Sequence, residues 1–235
     1  MDVLFVHGAL VRDGGWWWRR AAALLEERTG VRSRALALPS CGESPADPES
    51  EPGLAADAAA LREALEVGGP TVLVGHSYGG TVIAEAGPHP AVAGLLLVSS
   101  YTPEPGLSQG AIMSGEPDPV RIGLLPDGSL QIAGYDARSF ADRFLQDGDE
   151  EDREGAWQRV TTQASSAFST PTTAAGWRGA ESTYLVCTED RSTSVGLQRS
   201  HAERATRSVD VPTGHHPFLT RPDLVVAELE VLLGR

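Results

Sequence analysis

The chain has 235 residues, 41% of them hydrophobic, which is enough for one sizeable core and argues against global disorder. Its 19 basic residues face 32 acidic ones, a formal charge of −13, so the mean surface field repels phosphate backbones and nucleic acid is not an expected partner. Every basic residue is an arginine, which removes side-chain Schiff-base chemistry, since that needs a lysine amine. The two cysteines, Cys41 and Cys187, are too few for a disulfide framework or a cysteine-only zinc site and read as buried free thiols. No apolar run approaches the ~18 residues of a membrane span, and MDVLFVHG opens the chain without a basic leader, so the expectation is a cytoplasmic protein without a membrane partner.

In chain order, Asp2–Val6 predicts a buried strand ending at His7-Gly8, and WWWRRAAALLEERT predicts one helix over 16–29. A strand over 31–38 is ended by Pro39 and the loop SCGESPADPE. Leu54–Glu66 reads as a helix with Asp57, Arg62 and Glu63 on its exposed surface, stopped by Gly68-Gly69-Pro70. A strand over 71–74, a helix over Tyr78–Ala86 and a strand over 92–99 follow. From Tyr101 to Gly179 the cadence breaks: no convincing strand is visible, only helices over 137–145 and 150–161 in Gly-, Pro-, Ser- and Thr-rich surroundings. It returns with a strand at Ser182–Cys187, a helix over 195–205, a strand over 208–211 and a last helix over 221–233. Apolar strands alternating with helices predict an α/β fold: a six-stranded, mostly parallel, doubly wound sheet with helices on both faces. Residues 1–100 and 180–235 form this core, and 101–179 an inserted helical cap. No GxGxxG or P-loop supports a nucleotide site.

Gly75-His76-Ser77-Tyr78-Gly79 fits G-x-S-x-G and lies between the strand TVLV and the helix YGGTVIAEA, the context a nucleophile elbow requires. The glycines let a strained turn form against neighbouring backbone, lifting the Ser77 hydroxyl over a helix N-terminus. An oxyanion hole needs two convergent N–H donors. Tyr78 supplies one; Ala9, in the loop closing the first strand, is the choice for the second, with Leu10 its rival. His7 and Gly8 shape that loop.

The base must be a histidine. His76 sits inside the elbow with its ring turned from the serine, His89 lies exposed between prolines, and His201 faces solvent on a helix. His215 and His216, in GHHPF after the last strand, are left, and the residues alone do not separate them. Chain order asks for an acid between serine and base. Asp190 is preferred over Glu189 because one further residue lets its carboxylate turn back to the imidazole; Asp210 is a further rival. Trp17, Trp157 and Phe218 are candidate substrate-binding residues, with Leu10 and His216. Met113, Leu124, Leu125, Phe140, Phe144 and Phe168 are cap residues from which a pocket cover would come.

FVHGA at 5–9 with GGWWW at 14–18, GHSYGG at 75–80, YLVCTEDR at 184–191 and TGHHPFLTRP at 213–222 together resemble the α/β-hydrolase superfamily, specifically the methylesterase/hydroxynitrile-lyase-like esterases and their bacterial relatives. The resemblance implies Ser77 as nucleophile, His215 as base, Asp190 as triad acid, and backbone donors at Ala9 and Tyr78. Cyanohydrin-cleaving relatives carry threonine at the position of Gly8 and lysine at that of His216, so these departures argue for ester hydrolysis. The expectation is a serine carboxylic-ester hydrolase acting on a small to medium, largely apolar ester, without metal or organic cofactor, as a monomer or homodimer. A lactonase or thioesterase, or a non-catalytic ligand-binding protein of this fold, are the alternatives.

Overall fold

The computed structural model describes residues 1–43 and 52–235. Of the loop expected at 40–49, the part from 44 lies outside the described residues. The chain runs β1 (Asp2–Val6), α1 (Gly14–Trp17), α2 (Arg19–Thr29), β2 (Ser33–Ala35), a 3-10 turn at Pro39–Cys41, α3 (Leu54–Glu66), β3 (Thr71–His76), α4 (Tyr78–Ala86) and β4 (Val92–Val98). Next come α5 (Gln109–Met113), β5 (Ile122–Leu124), β6 (Ser129–Ile132), α6 (Ala137–Phe144), α7 (Glu150–Trp157), β7 (Gln163–Ala164) and α8 (Ser166–Ser169). It ends with β8 (Ser182–Cys187), α9 (Val195–Ala202), β9 (Arg207–Val211), α10 (Pro217–Thr220) and α11 (Pro222–Leu232).

Six strands form one parallel sheet in the order β2-β1-β3-β4-β8-β9. Its inner strands are mostly apolar and β3 and β8 are buried along their whole length, because both faces are covered. Alternate residues of β1 go to opposite layers: Val3 and Phe5 pack with Trp18, Leu25, Val225 and Leu229, while Leu4 and Val6 pack with Leu54, Leu61 and Val82. The winding reverses between β1 and β3, so the loops leaving their carboxyl ends diverge and open a crevice there. Both loops carry sequence-predicted site residues. No helix among the described residues is long and apolar enough to cross a membrane.

Four expectations need correction. The helix over 16–29 is two helices broken at Trp18, whose backbone (φ −92°, ψ 2°) leaves the helical range. The break lets consecutive tryptophans bury in different places: Trp18 stacks between Phe5 and Phe218, with ring centroids at 4.4 and 3.9 Å, while Trp17 stacks on His216. The strand over 31–38 shrinks to Ser33–Ala35, which pairs with β1 at an edge of the sheet formed by the described residues.

Strands do exist between 101 and 179: β5, β6 and β7 make a small antiparallel sheet. Leu125-Pro126-Asp127-Gly128 turns the chain between β5 and β6, with Gly128 at φ +83° and its N–H on the Leu125 carbonyl. Finally, Asp57 and His201 are buried rather than solvent-facing. Each has internal partners: Asp57 accepts from Ser40 and Tyr78, and the Thr102 N–H donates to His201 Nδ1 at 3.0 Å. The two cysteines are buried and free.

Candidate active site

β3 ends at His76 and α4 begins at Tyr78, so Ser77 occupies the turn with φ +49° and ψ −121°, a strained conformation for a residue with a side chain. Close packing enforces it. A Cβ on Gly79 would collide with the Val6 carbonyl, and one on Gly80 with the Tyr101 carbonyl. The half-buried Ser77 side chain lines a cavity with Gly8, Ala9, Leu10, His76, His215 and His216. Met113, Phe140, Phe144 and Phe168 supply much of its apolar wall, and Tyr101 and Glu116 add polar atoms. Leu124 is exposed instead, and Trp157 packs on Phe140 outside the lining. Trp17 and Phe218 also lie outside it, buried beneath His216 and against Trp18.

Asp190 leaves the carboxyl end of β8, and the loop after β9 brings His215 to it. His215 Nδ1 lies 2.7 Å from Asp190 Oδ2, and both side chains are almost fully buried. Ser99 donates to the same oxygen at 2.6 Å, while the Ser192 and Thr193 N–H groups donate to Oδ1 at 2.7 and 3.1 Å. Burial alone would raise this carboxyl; the His215 charge and hydrogen bond, with Ser99 and Ser192, outweigh it and hold Asp190 below the ordinary carboxylate range. Glu189 points outward at the surface, and Asp210 pairs with Arg199 there. Neither meets the imidazole.

Ser77 shares the cavity lining with Tyr101, whose phenol meets Thr193 Oγ1 at 3.1 Å. Among the described residues no hydrogen bond joins the Ser77 hydroxyl to His215. Burial, helped by the nearby Asp190 carboxylate, pushes the Tyr101 phenol up to about 12, so it stays neutral.

The loop after β1 separates the two oxyanion candidates. Leu10 (φ +59°) donates its N–H to Gln163 Oε1 at 2.8 Å, so that donor is already engaged. Among the described residues no protein group accepts from the N–H of Ala9 or of Tyr78. His7 is tied down by Glu43, with Nε2 2.6 Å from its carboxylate, and the same carboxylate accepts from the N–H groups of Asp13 and Leu38. The buried Tyr78 side chain points away from the cavity, its hydroxyl donating to Asp57 Oδ2 at 2.8 Å.

His76 faces the sheet edge with Nε2 3.0 Å from the His215 carbonyl, and His216 Nδ1 lies 2.9 Å from the Phe144 carbonyl. Burial, with the charge of His215 next, holds His76 well below the usual imidazole range and takes His216 down to about 3. Both are neutral. Ser99, Tyr101, Asp57, Gln163 and Glu43 escape the sequence reading. An aspartate among the alanines and leucines of α3 was a visible signal for one of them.

A serine elbow at the reversal point of a doubly wound parallel sheet, across from a buried Asp–His pair, defines the α/β-hydrolase class. The family model for the Alpha/beta hydrolase family matches residues 3–228. The chain is 30% identical over 218 residues to Alpha/beta hydrolase nvfD of Aspergillus novofumigatus (strain IBT 16806), covering 85% of this chain and 84% of that protein. The chain therefore belongs to the alpha/beta hydrolase family, and a hydrolase is the class of enzyme this supports. In fold it is similar to a pyrethroid hydrolase from Sphingobium faniae JZ-2 (TM-score 0.82, 22% identity, 100% of this chain and 97% of that one). Polyneuridine aldehyde esterase is also similar (TM-score 0.78, 20% identity, 100% of this chain and 98% of that one).

Proposed function

We propose that the protein is a serine carboxylic-ester hydrolase that works through an acyl-enzyme. The observation that carries this reading is the His215–Asp190 pair at 2.7 Å opening on the same cavity as the Ser77 elbow. His215 takes the Ser77 proton as the oxygen attacks the ester carbonyl, and the N–H groups of Ala9 and Tyr78 hold the resulting oxyanion. His215 then protonates the leaving alcohol and activates water to release the acid. Asp190 keeps the Nδ1–H tautomer and stabilises the imidazolium without taking its proton. Residues 101–179 act as a cap whose aromatic and aliphatic side chains exclude water and bind the acyl or alcohol group.

Among the described residues on the cavity wall only Glu116 is an acid or an arginine and most are apolar, which favours a neutral, largely apolar ester. Lyase chemistry of the cyanohydrin type fits poorly. A Cβ at Gly8 would stand 3.0 Å from His76 Nδ1 and 3.3 Å from Ser77 Cβ, so a threonine there would crowd both and require them to shift by a few tenths of an ångström. Relatives named for pyrethroid and polyneuridine aldehyde ester cleavage accord with the ester reading. Ser77→Ala is the test: hydrolysis of a short neutral aryl ester should fall to near background while the thermal melt is retained. Hydrolysis at the wild-type rate would remove Ser77 as nucleophile.

A further inference from the structure

We propose that His76, His215 and His216 form a binding site for a divalent transition cation, and that its occupancy switches the hydrolase off. The three rings form a near-equilateral triangle, with centroids 4.5, 4.8 and 4.9 Å apart. One ring nitrogen from each residue lies within 4.8 Å of those of the other two. All three rings line the cavity of the candidate site.

The hydrogen bonds fix which nitrogens are available. His76 Nε2 meets the His215 carbonyl, His216 Nδ1 meets the Phe144 carbonyl, and His215 Nδ1 meets Asp190. Each of these partners only accepts, so each of those nitrogens carries the proton and donates it. The lone pairs are thereby assigned to His76 Nδ1, His215 Nε2 and His216 Nε2. Metal-bound imidazoles are oriented in this way, with the far N–H given to a carbonyl or a carboxylate. Gly8 leaves His76 Nδ1 uncrowded, since a Cβ there would stand 3.0 Å from that nitrogen. Trp17, stacked on His216 with centroids 4.8 Å apart, holds that ring in place.

Three neutral imidazoles suit Zn²⁺ and its neighbours, whereas Mg²⁺ and Ca²⁺ take oxygen ligands. Zn–N bonds of about 2.0–2.1 Å in tetrahedral geometry set nitrogens about 3.3–3.4 Å apart, so a pair at 4.8 Å must close by roughly 1.5 Å as the cation binds. A bound cation would occupy the lone pair with which His215 accepts the Ser77 proton. Binding itself needs no assumption about catalysis; the inhibition rests on the esterase reading.

Calorimetric titration of the intact protein with ZnCl₂ tests the site. Wild type should take up one Zn²⁺ per chain. His216→Phe keeps an aromatic ring on Trp17 but loses a ligand, and His76→Gln loses another. Each should weaken binding by at least about 100-fold, since losing an orienting partner alone costs about 10–100-fold. Circular dichroism identifies which variants are folded, and either one suffices. Co²⁺ as a second probe should give the strong visible absorption of four-coordinate cobalt in wild type and lose it in the variants. Zn²⁺ should halve turnover of a neutral aryl ester at the concentration that half-fills the calorimetric site. Absence of stoichiometric binding, undiminished affinity in a folded variant, or binding that leaves turnover untouched would overturn the proposal. A chelator-treated wild type with no hydrolysis at all would instead sink the esterase reading and leave the calorimetric result standing.

Discussion

Adjacent histidines at 215 and 216 occupy opposite electrostatic situations. His215 shares its Nδ1 proton with a buried carboxylate, whereas His216 gives its own to a carbonyl and is held neutral down to about pH 3. Replacing His215 with alanine should therefore lower kcat/KM for a neutral ester by on the order of 10³ or more, and His216→Ala by far less. Equal losses in steady-state kinetics would make the base assignment untenable. His201 offers a test of stability. Burial, then the nearby Arg204 charge, lowers it from 6.5 to about 4. The unfolded chain thus binds a proton below about pH 6.5 that the folded chain refuses until about pH 4. Stability is complete above that window and falls through it by up to about 3 kcal/mol. Urea unfolding of wild type and His201→Gln at pH 7 and 4.5 should show a smaller acid loss in the variant; parallel losses would contradict this burial account. Ser77 and Asp190 could be proposed from the sequence because elbow glycines and chain order are signals carried by the chain itself, whereas His215 was separated from His216 only by the family resemblance. Ser99, Tyr101 and Gln163 could not be proposed, since their contacts with the site exist only after strands distant in the chain are laid side by side.

The segment between β4 and β8 braces the site as well as covering it. The Thr161 N–H donates to the Leu10 carbonyl at 2.9 Å, the Arg12 N–H to the Arg159 carbonyl at 2.9 Å, and Gln163 accepts from Leu10. Gln163 Nε2 also donates to Ser40 Oγ at 2.9 Å, which in turn donates to Asp57, the acceptor of the Tyr78 hydroxyl. A continuous buried chain of hydrogen bonds thus links the two stretches of backbone that present the proposed oxyanion donors. Gln163→Leu would leave the Leu10 N–H and the Ser40 network unpaired. It should cost about 2–3 kcal/mol in urea unfolding and lower kcat more than it raises KM. A variant as stable and as fast as wild type would show that the network is dispensable. The parallel core strands and their helices followed from hydrophobic runs of useful length. β5 and β7 span only three and two residues, too short for periodicity to register, although Pro126-Asp127-Gly128 between two apolar runs was a hairpin signal that went unused.

Taken as one body, the chain places the proposed reaction site at a reversal in strand order. The crevice between β1 and β3 receives Ser77, the loop proposed to hold the oxyanion enters from β1, and the Asp–His pair arrives from β8 and the loop after β9. A net charge of −13 surrounds a cavity whose wall, among the described residues, carries no arginine, so esters bearing a carboxylate should be poorer substrates than their neutral counterparts. Paired kcat/KM values for a methyl-capped diester and the corresponding half-ester would read this directly, and preference for the acid form would refute it. Most decisive is the mass of tryptic peptides after treatment with an aryl organophosphonate. The account predicts a single stoichiometric adduct on the peptide containing Ser77, abolished by Ser77→Ala and strongly slowed by His215→Ala; no adduct, or one on any other residue, would contradict it.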